Sequence, residues 1–185
     1  ESGDGGDSLH PGFGVSDAPP LDPLVRARAF EAAGDESVYE SAIEEAKVNY
    51  GWAIDTFLEG RAFEEAIRIC RKLIRLSPDV VRTRYSLLFL LIGLGRYEEA
   101  RAALEDYVRV VHASGTRSFA IPRLQLLAHV TEDDETLARI ERILTDLGSE
   151  QLGYPHPLAR EHLTAEATAG ADRTERWETL LPIAL

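Results

Sequence analysis

Five histidines, one cysteine and a few adjacent acid pairs are the side chains with which this sequence could do chemistry. A metal centre needs His, Cys or acid ligands at spacings that converge, and a hydrolytic site needs a nucleophile beside a base. His10, His112, His129, His156 and His162 are scattered, with no HxxxH or HExxH pair, and Glu161 and His162 are adjacent and therefore splayed on a helix. Cys70 stands alone, which excludes an internal disulfide and any CxxC motif, and it falls where an apolar packing residue is wanted. The pairs Glu44-Glu45, Glu64-Glu65, Glu98-Glu99 and Asp133-Asp134 read as charges opening helices, where the dipole favours them. Neither Gly12 and Gly14 around Phe13 nor Gly93-Leu94-Gly95 has the further Gly and Lys of a phosphate loop. The expectation is a protein that is not an enzyme, with no catalytic residue, no cofactor and no metal.

What must be positioned is then a surface. The chain has 185 residues, 44% apolar and 28% charged, the composition of one globular domain. Its 32 acidic and 20 basic residues leave a net charge of -12, which argues against nucleic acid as a partner. No apolar run reaches the roughly 18 to 20 residues that cross a bilayer. Residues 1–20 are rich in Gly, Ser, Asp and Pro, contain no Lys or Arg, and are expected to be a solvated acidic tether. The sequence contains no Met, so residue 1 is read as following something removed from the front.

From 21 to 185 apolar residues recur three and four apart, which predicts helix throughout. Asp22 as N-cap and Pro23 after it open a first helix expected to stop at Gly34, and Asp35 and Ser37 open a second stretch through Ala46. Phe63-Glu64-Glu65-Ala66 then returns as Tyr97-Glu98-Glu99-Ala100, thirty-four residues on. Units 47–80 and 81–114 share apolar character at Ile54/Leu88, Phe57/Leu91, Leu58/Ile92, Cys70/Leu104, Leu73/Tyr107, Ile74/Val108 and Leu76/Val110, the inner stripes of two packed helices.

With Ala66 and Ala100 at a small helix-crossing position, Phe63 and Tyr97 just before it, Gly95 at the turn and Pro78 at the end, the chain resembles the tetratricopeptide repeat family. It departs from the family pattern at Arg61, where the turn Gly is expected, with Gly60 one place early, and at His112, where the closing Pro is expected. The resemblance implies an all-α, right-handed solenoid of helix-turn-helix hairpins, about three to four units with degenerate ends. A third unit is expected over 115–147, with helices 118–130 and 134–147 and Ala138 out of strict period. A cap is expected over 156–185, with Gly170 at its turn and Trp177 packing inward.

The same resemblance places groove positions on Val48, Gly51, Asp55, Leu58, Arg82, Tyr85, Phe89 and Ile92. The run Leu87–Ile92 is apolar on all sides, so Tyr85, Phe89 and Ile92 are either groove anchors or core covered by an N-terminal helix or the third unit. The clamp by which some family members grip a C-terminal carboxylate is absent, since Gly51, Asp55 and Ser86 occupy its places. The leading expectation is a non-catalytic module that binds a protein or peptide segment in this groove. The alternative is an accessory subunit or tethered lipoprotein of a bacterial envelope assembly, anchored by a lipidated cysteine ahead of Glu1 and working in the periplasm or envelope; a cytoplasmic regulatory domain is a third context.

Overall fold

The computed structural model describes residues 22–148 together with Trp177 and Leu181. The acidic tether expected over 1–20 and the cap expected over 156–185, with its turn at Gly170, otherwise lie outside the described residues. Within them the chain forms α1 (Pro23–Tyr39), α2 (Ile43–Glu59), α3 (Phe63–Leu76), α4 (Val81–Gly93), α5 (Tyr97–Ser114), α6 (Arg117–Val130) and α7 (Asp134–Asp146). Each helix packs on the next, while α4 also meets α6 and α5 meets α7. The result is a stack of antiparallel hairpins, with α2, α4 and α6 in one layer and α1, α3, α5 and α7 in the other. This is the expected all-α helical repeat.

One turn is used three times. After α1, α2 and α4 the chain passes through Glu40-Ser41-Ala42, Gly60-Arg61-Ala62 and Leu94-Gly95-Arg96, and the middle residue is left-handed each time, at φ 62°, 57° and 71°. The backbone bonding also repeats: the middle N–H donates to the carbonyl three residues back and the next N–H to the one five back, as in Arg61 to Leu58 and Ala62 to Phe57. These bonds use up carbonyls that the helix end leaves unpartnered. Arg61 thus takes the conformation that Gly95 takes without steric cost, so the departure from the family pattern changes the residue and not the turn. Gly95→Ala is expected to cost about 1 kcal/mol and Arg61→Gly to add about 0.5 kcal/mol, both readable as shifts in a urea midpoint.

Two expected features are corrected. Gly34 does not end a helix: α1 runs on to Tyr39, and Gly34 is buried inside it because a Cβ there would lie 2.7 Å from the Tyr50 ring. In the third unit, whose helices fall close to where they are expected, the small crossing position belongs to Thr136 rather than to the exposed Ala138. Thr136 aligns with Ala66 and Ala100 as the first buried residue of its helix, followed four residues on by Ile140, Cys70 and Leu104 respectively. Its hydroxyl can be buried because it donates to Asp133 Oδ2 at 2.6 Å.

Ion pairs tie the outer layer together. Glu31 of α1 binds both Arg68 and Lys72 of α3, Glu64 of α3 meets Arg96 at the α5 N-cap, Arg71 pairs with Glu99, and Glu105 of α5 meets Arg139 of α7. Three of the acid pairs, Glu64-Glu65, Glu98-Glu99 and Asp133-Asp134, therefore stand at helix starts and also bridge successive units, the last through Asp133 and Arg101 of α5. The Arg68 hydrogen bonds outweigh partial burial and hold the Glu31 carboxyl at about 2, below its ordinary 4.5. A carboxylate more acidic folded than unfolded adds stability that is complete above pH 4.5 and is lost as pH falls towards 2. Arg68 is well exposed, so solvent screening keeps this to about 1 kcal/mol. Melting temperatures of Glu31→Gln and the parent are expected to differ above pH 4.5 and to converge near pH 2.

Candidate functional site

The inner layer offers one open cleft along the expected groove positions. Val48, Gly51 and Asp55, spaced three and four apart, form the α2 wall, and Arg82, Thr83 and Ser86 form the α4 wall, around a space of about 300 Å³. Ile54 and Leu73 supply an apolar floor, and Lys47 and Glu44 stand at the rim. Val48 is 50% exposed, and one turn on Trp52 is 52% exposed, its ring 5.4 Å from Phe30 of α1. Desolvation raises the Asp55 carboxyl above its ordinary range, and the positive charge of Arg82 opposes it. The cleft therefore combines an apolar floor with opposite charges on its two walls, which suits an extended or helical segment carrying apolar side chains between polar groups.

Four of the eight expected groove positions are elsewhere. Leu58 is half-buried and packs against the core. Tyr85, Phe89 and Ile92 are 1%, 0% and 0% exposed, so the groove reading is corrected at these positions in favour of covered core. Arg123 of α6 lies over the Tyr85 ring at 5.7 Å, as expected of a third unit folding across α4. Trp177 covers Phe89, stacking on it with centroids 5.9 Å apart, and meets the Phe63 ring edge-on at 4.9 Å. The indole N–H donates to the Phe89 carbonyl at 3.1 Å. Gly93 permits that seat: a Cβ there would lie 1.8 Å from Trp177 Cε2. Gly95 is thus the turn glycine, whereas Gly93 is a notch for Trp177, a distinction that sequence spacing does not reveal.

Of the candidate groups singled out in the sequence, His10, His156 and His162 lie outside the described residues. Cys70 is fully buried on the inner side of α3, and desolvation pushes its thiol up to about 12, so it stays protonated and inert. Among the described residues no three His, Cys, Asp or Glu side chains come together to hold a metal ion, and no described helix is long and apolar enough to cross a membrane. A second hollow, of about 340 Å³, lies between α3, α4 and α5, and two of its three arginines are engaged by protein groups, Arg71 by Glu99 and Arg84 by the Pro78 carbonyl.

The turn pattern, the thirty-four-residue period and the small residues Ala66 and Ala100 at the α3 and α5 crossings converge with a comparison of family models: residues 57–114 match a model of the tetratricopeptide repeat. This stretch is similar to the tetratricopeptide repeat. The match spans the end of α2, the hairpin α3–α4 and all of α5, so the open cleft lies at its N-terminal edge and the Trp177 notch within it. No curated protein and no solved structure matches the chain. Tetratricopeptide repeats generally mediate protein–protein contacts and are typically non-catalytic.

Proposed function

We propose that this chain is a non-catalytic interaction module that takes a protein or peptide segment in the cleft between α2 and α4, with Val48, Asp55 and Arg82 as contact residues and Trp52 as the aromatic at its edge. Gly51 carries the reading. Three glycines lie inside the described helices; Gly34 and Gly93 are crowded by Tyr50 and Trp177, but a Cβ at Gly51 would meet nothing within 4 Å. A mid-helix Gly destabilises by about 1 kcal/mol relative to Ala, and no neighbour in the fold explains that loss. An open cleft wall beside the exposed Val48 and Trp52 does explain it. Burying one such apolar side chain contributes about 1.5 to 3 kcal/mol, so Trp52 and Val48 together suit a peptide-sized contact of moderate affinity.

Gly51→Leu separates binding from folding. It fills the cleft from a position with free space and raises helix propensity, so the melting temperature is expected to hold or rise. Capture of partner proteins from the native cell, compared by mass spectrometry with the parent chain, is expected to fail. Undiminished capture by a folded Gly51→Leu chain would place the binding surface elsewhere.

A further inference from the structure

Trp177 and Leu181 are both helical, four residues apart, and reach the inner layer from well beyond Gly148 in the sequence. Leu181 packs half-buried against the core, and the Trp177 seat is built by α3 and α4: the Phe63 ring in an edge-to-face contact, the Phe89 face, the Phe89 carbonyl as hydrogen-bond acceptor, and the missing Cβ of Gly93. These features select an indole. Phenylalanine would leave the acceptor without its N–H and fill less of the notch. The seat lies on the same stripe of α4 as Arg82 of the open cleft, with Tyr85, buried under Arg123 of α6, between the two. The helices α1 to α7 already pack serially on their own neighbours, so Trp177 is added to a stack whose other contacts are local.

We propose that this notch is an indole-accepting ligand site, held in cis by Trp177, and that its ligand in trans is a partner segment bearing Trp with Leu four residues later, the chemistry of residues 177 and 181. The inference deepens the reading of the inner layer as a protein-binding surface and rests on it: a partner reaches the Phe89 and Gly93 end of α4 only by displacing Trp177. A tethered side chain competes at an effective concentration on the order of millimolar, so the intact chain discriminates against weak indole ligands.

The test uses the full chain and a fluorescein-labelled peptide copying residues 172–185, followed by anisotropy. The Trp177→Ala chain is expected to keep a cooperative melting transition and to bind the peptide with an affinity on the order of micromolar. The parent chain is expected to bind at least about a hundredfold more weakly. Changing the peptide's own Trp to Phe is expected to weaken binding at least about tenfold, the scale of one lost hydrogen bond, and Gly93→Val in the Trp177→Ala chain is expected to abolish it. Loss of cooperative melting in Trp177→Ala would make Trp177 an ordinary core residue and overturn the proposal. So would a folded Trp177→Ala chain that ignores the peptide, equal binding of the Phe peptide, or equal binding by the parent. Gly51→Leu bears only on the cleft, so failure of the cleft reading and failure of the notch are distinguished.

Discussion

Phe89→Ala is expected to lower the stability of the chain by about 3–5 kcal/mol, the range for removing a large aromatic from a packed interior. Phe89 is fully buried at the centre of α4, its ring 6.1 Å from Tyr85 and 5.9 Å from Trp177. Its removal strips contacts from both neighbours and leaves a cavity that backbone on a rigid helix does not close. The urea midpoint should fall accordingly, and Tyr85→Ala should fall similarly, because Tyr85 also packs on Tyr107 of α5. A surface anchor would behave in the opposite way, losing partner binding at nearly unchanged stability. An unchanged midpoint in Phe89→Ala would return that residue to the open face of the groove.

Gly93→Ala is expected to have a large effect for a change that adds a single methyl group. Its Cβ would lie 1.8 Å from Cε2 and 1.9 Å from Nε1 of Trp177. A Cβ is fixed by the helix backbone, so the indole must leave its seat and give up both its stacking on Phe89 and its bond to the Phe89 carbonyl. Overpacking of this kind costs about 1–3 kcal/mol, more than the helix-propensity gain of about 1 kcal/mol returns at a terminal position. Trp177 emission should move to longer wavelength in the same variant, which separates an expelled indole from a general loss of stability. Alanine tolerated with no change in emission would mean that Gly93 serves only the helix end.

The parts of the fold legible in the sequence are those that recur. Phe63/Tyr97, Ala66/Ala100 and Cys70/Leu104 repeat because each unit must solve the same packing problem against its neighbour, and repetition is visible without coordinates. Arg61 departs from the expected turn glycine in residue type and not in conformation, because the backbone bonds of the turn hold a non-glycine at φ 57°. Thr136 was hidden because a polar β-branched residue fits a small buried slot only when something accepts its hydroxyl proton, and Asp133 does so. Gly34 read as a stop because a glycine that ends a helix and one that admits a ring are identical in one dimension. The candidate site divided along the same line. Val48, Asp55 and Arg82 could be placed from helical spacing, whereas the burial of Phe89 depends on Trp177, eighty-eight residues away and bound by no period.

Acrylamide quenching of single-tryptophan chains tests most directly the claim that the inner layer is open at Trp52 and closed by Trp177. Trp52→Phe leaves Trp177 as the sole indole and Trp177→Phe leaves Trp52, since the sequence contains two tryptophans. The expected result is a blue-shifted, quencher-protected emission from Trp177, which is 1% exposed, and a readily quenched emission from Trp52. Trp177 quenched as readily as Trp52 would contradict the claim, because Phe89 and Gly93 would then face solvent and that end of α4 would be open groove.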